Sequence, residues 1–240
     1  MNIVSFGGGT NSPAMIIGLY QRHEPIDLIL FADTGAEFPH TYRFLMIFND
    51  WLAKHGLPFI TTVQYRDRNG NRLTLEQECL RSGTLPSIAY GHKQCSQKHK
   101  IAPQDKFCNH YPPCLETWKQ GQKVVKFIGY DSGEQRRYNR SKEYASRSKK
   151  YDYRYPLVEW GWDRERCKKE IKEAGLPLPG KTSCFFCPSM HKEEILNLQQ
   201  SYPFLLDRAL AIEERAQPNL KKIKGLGRDF SWKDFLNTGS

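Results

Sequence analysis

The chain has 240 residues, with 36 Lys and Arg against 26 Asp and Glu and a formal charge of +10 at pH 7. That length suits one α/β core plus a small appendage, and no apolar run approaches the roughly 20 residues that cross a bilayer. The glycine-rich stretch right after Phe6 is unlike a secretory leader, so a cytoplasmic protein with no membrane partner is expected. Seven cysteines, an odd number, favour reduced thiols or a metal over a disulfide framework. The surplus of positive charge points toward a polyanionic partner.

In chain order, residues 3–6 read as a strand that enters Gly7-Gly8-Gly9-Thr10-Asn11-Ser12, with a helix following over about 13–21. Glycines without a Cβ take backbone angles closed to other residues and can aim several N–H groups at one anion. The helix start adds its positive dipole end, so this turn is a candidate phosphate site. A second strand over 28–32 ends at Asp33-Thr34-Gly35, where ligands of open α/β sheets bind. Residues 41–55 predict an amphipathic helix through Phe44, Leu45, Phe48, Trp51 and Leu52, stopped by Gly56. A third strand is expected at 59–64. The segment 66–123, rich in Cys, His and Pro, breaks the alternation and reads as an insertion.

The strand at 124–128 runs into Gly129 and a charged loop ending Arg136-Arg137. Residues 136–154 hold eight Lys or Arg against Glu143 and Asp152, interleaved with Tyr138, Tyr144, Tyr151 and Tyr153. This mixture suits either a solvated loop or nucleic-acid contact. A helix follows, with Asp163 as N-cap, Cys167, Ile171 and Ala174 on one face, and Gly175 as C-cap. The run 175–182, GLPLPGKT, matches the literal Walker pattern but follows a helix, and Pro177 and Pro179 remove donors that a phosphate loop needs. Cys184 and Cys187 have the two-residue spacing that serves zinc, iron–sulfur clusters and redox dithiols alike. Two more helices, broken near Pro203, precede a terminal segment that could dock through Phe230, Trp232 and Phe235. The alternation of elements argues for a parallel sheet with helices on both faces.

These motifs resemble a known family. SFGGGTNS is similar to the pyrophosphate loop of the adenine nucleotide alpha-hydrolase (PP-loop) superfamily, DTGAEFPHTY to its second-strand motif, and GYDSGEQRR to a loop of phosphoadenosine phosphosulfate reductases. Gln94-Cys95-Ser96, YPLVEW (155–160) and CFFCP (184–188) follow in the family's order. The resemblance implies an α/β, parallel-sheet Rossmann-like (HUP-type) nucleotide-binding domain at 1–160 and a helical region with the CxxC at 161–240. It implies nucleotide contacts by Ser5, Gly7, Gly8, Gly9, Thr10, Asn11, Ser12, Phe31, Asp33 and Gly129. Asp33, Arg136 and Arg137 would serve catalysis, and Cys95, Cys184 and Cys187 would ligate a metal. The fourth ligand stays open among Cys108, His99, His191 and an external group.

Asn11 stands where many members have Asp, Gln94 precedes a single Cys95, and no cysteine follows Cys187. The last two departures count against reduction of a sulfonucleotide. The leading expectation is ATP-dependent adenylation and sulfur transfer onto a nucleic acid, tRNA or DNA. Its cofactors would be ATP or a related adenine nucleotide, Mg, and a [4Fe–4S] cluster or zinc; a homodimer is compatible. A sulfonucleotide reductase or sulfotransferase, and a non-catalytic binding module, are the alternatives.

Overall fold

The computed structural model describes residues 1–238. In chain order the elements are β1 (Asn2–Phe6), α1 (Asn11–Gln21), β2 (Leu28–Ala32), α2 (Pro39–Lys54), β3 (Ile60–Val63), α3 (Leu75–Ser82), α4 (Gln94–Ser96), α5 (Ala102–Cys108), α6 (Pro112–Lys119), β4 (Val124–Ile128), α7 (Gln135–Ala145), β5 (Tyr151–Arg154), α8 (Pro156–Glu159), α9 (Arg164–Glu173), α10 (Lys192–Ser201), α11 (Pro203–Ala216) and α12 (Trp232–Thr238). They form two compact units. The first comprises Met1–Ala32, Pro39–Val63 and Gln104–Thr182; the second comprises Asp33–Phe38, Gln64–Pro103 and the chain from Ser183 on.

The first unit is an α/β Rossmann-like fold. Its five strands are all parallel, in the order β3-β2-β1-β4-β5. Ile3 pairs with Leu28 on one side, and Asn2 pairs with Val125 on the other. All five residues of β2 are buried, as expected of a strand covered on both faces. One face carries Val4, Phe6, Ile29 and Phe127 under Met15 and Ile16 of α1, Phe44 and Phe48 of α2 and Cys167 and Ile171 of α9. The other carries Ile3, Leu28, Leu30 and Val124 under Cys108 and Cys114, from α5 and α6. Phe48 stacks on Phe6 and Trp51 at 5.3 and 5.5 Å between centroids. Truncating such a ring to Ala costs about 3–5 kcal/mol.

The strand order reverses at β1. From β1 the chain crosses through α1 to β2 on one side, and β4 lies against its other edge. The loops leaving the carboxyl ends of β1 and β4, residues 7–10 and 129–134, therefore flank a topological switch point, where open α/β sheets bind ligands.

Residues 136–154 are not an irregular loop: they form most of α7 and the edge strand β5. Neither has the apolar pattern that announces an element. α7 buries none of its residues, and β5 places only Tyr151 in the core. What holds them is tertiary: Tyr155 packs edge-on to Tyr138, and its hydroxyl lies 2.5 Å from that of Ser141. Asp163 caps α9 as expected, accepting from the Arg166 amide at 2.8 Å. Gly175 sits one residue beyond the C-cap, in the left-handed region at φ 73°. No helix starts directly after Lys181, α10 beginning only at Lys192, so the Walker-like run lacks the strand–loop–helix that would make it a phosphate site.

The second unit is helical around a separate core containing Phe185, Phe186, Leu206, Ile212 and Trp232. Thr74 and Gln77 close a reciprocal capping box on α3. The terminal segment docks: Trp232 is fully buried, and Phe230 and Phe235 are partly buried against the same core. Glu213, 1% exposed, holds it by accepting from the amides of Leu226, Trp232 and Lys233 at 2.7, 2.9 and 3.0 Å. Among the described residues no helix is long and apolar enough to cross a membrane.

Candidate functional site

The turn after β1 is built for close approach. Gly8 adopts φ 73°, in the left-handed region that favours glycine. A Cβ on Gly9 would stand 2.7 Å from Thr182 Oγ1. Ser12 closes the turn by accepting from the Gly7 amide at 3.1 Å. Among the described residues, the N–H groups of Gly8, Gly9 and Thr10 have no partner within the chain. Thr10 is also buried, so its donor is costly to leave unmet. Three such donors ahead of α1, where the helix dipole adds to them, make this turn the candidate anion site.

Asn11 explains itself once β4 is in place. Its single side-chain nitrogen donates both hydrogens, to Asp131 Oδ2 and to Glu134 Oε2, each at 3.0 Å. Asp131 is itself fixed by accepting from the Gly133 amide at 2.9 Å. Arg137 pairs with Glu134 and lies over the Tyr130 ring at 4.5 Å. A continuous polar chain thus runs from the glycine turn to α7. An Asp at position 11 would face two carboxylates, whereas Asn satisfies both. Asn11 Oδ1 is left buried without a partner.

The structure gathers most of the predicted nucleotide residues of this unit. Phe31 lies 3.7 Å from a Cβ built on Gly8, and Gly129 comes within 3.4 Å of the Asn11 and Ser12 backbone on the same measure. Ser5 instead spends its hydroxyl on Gln104 Oε1, at 3.0 Å. Arg136 is exposed on α7. Sequence reasoning missed Thr41, Asp131, Glu134 and Thr182. Thr41 is buried, with its methyl 3.3 Å from a Cβ on Gly8 and its hydroxyl unpartnered. Thr182 ends the Walker-like run, so the misleading motif delivers a residue to the genuine turn. His40 anchors that run by a 3.0 Å contact to the Lys181 carbonyl. The charged loop did display Asp131 and Glu134; no linear pattern announces Thr41 or Thr182.

Asp33 belongs to the second unit, where its carboxylate accepts from the Gly35 amide and from Gln64 Nε2, both at 2.7 Å, and lies 3.5 Å from Arg72. The three expected ligands Cys95, Cys184 and Cys187 are also here, partly buried against one apolar cluster. Cys184 Sγ lies 3.4 Å from Thr34 Oγ1, and Cys184 forms a backbone bridge with Glu37. Lys100 binds Glu37 Oε1 at 2.9 Å. Burial pulls the Lys100 ammonium down, but the Glu37 carboxylate and the Cys184 sulfur outweigh it, and the net shift is upward. Burial and Glu37 push the Cys184 thiol up, against Lys100 and Thr34. Burial likewise raises Cys187, against hydrogen bonds from Ser189.

Among the described residues no group of three or more His, Cys, Asp or Glu side chains is arranged to hold a metal ion. Cys95, Cys184 and Cys187, gathered on this one cluster, are the candidate ligands, and a bound metal would itself draw the proton from each ligating thiol. The candidates for a fourth ligand have other duties. His99 Nε2 lies 2.7 Å from Glu78 Oε2. His191 caps α10. Cys108 belongs to the first unit, where the Cys114 thiol holds its pKa down to about 7.

Against this geometry stand the comparisons with known proteins. No family model matches the chain, and no curated protein does. Among solved structures, it is similar to the U34-tRNA thiolase NcsA from Methanococcus maripaludis with its [4Fe-4S] cluster, at 12% identity and a TM-score of 0.42 over 99% of this chain and 80% of that one.

Proposed function

We propose that this chain is a nucleotide alpha-hydrolase-type transferase, related to the phosphoadenosine phosphosulfate reductases, that adenylates a carbonyl oxygen of a nucleic acid and exchanges that oxygen for sulfur. The observation that carries the reading is the set of three unmet amides at Gly8, Gly9 and Thr10, ahead of α1 at the switch point of the sheet. In the reaction, the acceptor oxygen attacks the α-phosphorus of ATP and pyrophosphate leaves. A sulfur donor at the sulfide level then attacks the activated carbon, and AMP departs with the oxygen.

The chain's own residues serve the first step mainly by positioning and by charge stabilisation. The three amides take the charge that builds on pyrophosphate as the α–β bond breaks. Ser12 holds the turn in shape, and Asn11, through Asp131 and Glu134, ties it to the β4 loop. Arg136, exposed beside this chain of contacts, is the cation offered to the phosphates by bidentate pairing. Magnesium bound with ATP would supply further charge neutralisation. Cys184 and Cys187 are the proposed thiols for sulfur handling in the second unit.

The test is exchange of labelled pyrophosphate into ATP, run with total tRNA and with DNA. Exchange that depends on one of them is expected. Release of sulfite from a sulfonucleotide would reassign the protein as a reductase, and silence in both assays would leave a binding module. Iron and zinc analysis after anaerobic purification separately tests the ligand set: iron in cluster stoichiometry is expected, and iron-free protein with one zinc would end the sulfur-carrier role.

A further inference from the structure

The first unit holds a cavity of about 230 Å³ away from the glycine turn, lined by Asp105 and Asn109 at the end of α5 and by Tyr144, Lys149, Lys150 and Tyr153 from α7 to β5. We infer that it takes the base of one unpaired nucleotide in a single-stranded nucleic acid. The inference adds a nucleic-acid contact remote from the glycine turn, and it rests on the proposed function only for what the binding serves.

The size comes first. The cavity is smaller than the roughly 300–1,000 Å³ that holds a drug-sized ligand, and it suits a fragment such as a nucleobase. The walls come next. Tyr144 is 64% exposed, whereas Tyr151, which also lines the cavity, is buried in the core. The Tyr144 and Tyr153 rings meet edge to face, 6.3 Å apart. An aromatic left in water beside a cavity is a stacking surface, and bases stack on such rings whatever their sequence.

Charge decides which part of a nucleotide goes where. The Asp105 carboxylate, 37% exposed and 3.5 Å from the buried Lys126 ammonium, offers oxygens that accept hydrogen bonds. It therefore faces a base edge that carries donors. Guanine offers two adjacent N–H groups and cytosine an exocyclic amine, while uracil offers a single imide N–H. Lys150 is tied to Asn109 Oδ1 at 2.6 Å. Lys149 is exposed, and Arg140 and Lys142 are exposed along α7, so the phosphates lie there. An acceptor and aromatic rings in one pocket, beside exposed basic residues, fit an unpaired base on its backbone.

Fluorescence anisotropy tests this in the absence of ATP, using short labelled oligouridines with and without one central guanosine, their deoxyuridine counterparts, and the matching duplexes. The guanosine-bearing single strand should bind about tenfold tighter than the plain one, and tighter than the duplex. Tyr144→Ala should weaken single-strand binding about tenfold with an unchanged melting temperature, since the ring is exposed. Asp105→Asn should erase the preference for guanosine, and Arg140→Ala, outside the cavity, should weaken all sequences alike. Equal binding by wild type and Tyr144→Ala, or a duplex bound as tightly as the single strand, would overturn the inference. Because no ATP is present, that failure would leave adenylation untouched, and absence of pyrophosphate exchange would leave this binding untouched.

Discussion

The glycine turn of the first unit and the CFFC segment of the second both look like ligand sites in sequence, yet the fold treats them in opposite ways. At the turn the fold leaves donors unmet: the amides of Gly8, Gly9 and Thr10 have no partner in the chain, while Ser12, Asn11, Asp131 and Glu134 are all spent on holding its shape. At the CFFC segment the neighbours partly satisfy the sulfurs: Cys184 contacts Thr34, Cys187 is bonded by Ser189, and Glu37 beside Cys184 is paired with Lys100. A binding cradle shows itself by what a fold leaves unsatisfied. A gathering of cysteines shows itself by residue type and proximity instead, because the metal itself supplies the charge that turns thiol into thiolate.

The comparison breaks most readily at Gly9. The Gly9→Ala variant places a methyl 2.7 Å from Thr182 Oγ1, and pyrophosphate exchange should fall about a hundredfold, close to 2.7 kcal/mol. The double variant Gly9→Ala/Thr182→Ala removes the clash and should recover much of the loss. If the single variant exchanges normally, the turn is not the nucleotide cradle. The second unit is probed by Glu213→Ala, which strips the acceptor from three amides and should cost about 3 kcal/mol. Thermal unfolding and proteolysis of the terminal segment would show it, and unchanged protection there would refute the anchoring role.

A smaller effect is expected at Asn11. The Asn11→Asp variant sets a third carboxylate against Asp131 and Glu134 and should weaken ATP binding about tenfold. Titration calorimetry should then find affinity recovering at acid pH, as one of the three carboxylates takes a proton. Affinity that is flat with pH would show that the three groups do not repel at this site.

The smallest effect concerns Glu78. Burial raises its pKa, but the hydrogen bonds to His99 and Lys98 outweigh burial, and the net shift is below its ordinary 4.5. A carboxylate depressed on folding lends stability that is fully present above 4.5 and is lost as pH falls through the lower folded value. Melting temperatures measured from neutral pH down to about pH 3 should decline less steeply in Glu78→Gln than in the wild type. Parallel curves would remove Glu78 from the acid response.

Much of the first unit was legible because its signals are local. Four strands were readable as apolar runs bounded by turns, and α2 from its aromatic stripe. β5 and α7 were not, since YDYR alternates polar residues with tyrosines that are apolar only in context, and α7 has no apolar face at all. The glycine turn was legible for the reason phosphate loops generally are, that few residues other than glycine tolerate its geometry. Thr182 was hidden in a run that resembles a different phosphate motif and reaches the turn only through the fold.

By itself the sequence determined the parallel sheet, the position of the glycine turn after its first strand, and the cap of α9, because each depends on the conformational preferences of a few adjacent residues. Only the tertiary structure decided that β4 lies beside β1 and brings Asp131 and Glu134 to Asn11, that Thr182 packs against Gly9, and that Glu37 stands beside Cys184. Those outcomes turn on which distant backbones lie side by side. Charge and hydrogen bonding then act at 3 Å between residues more than a hundred positions apart.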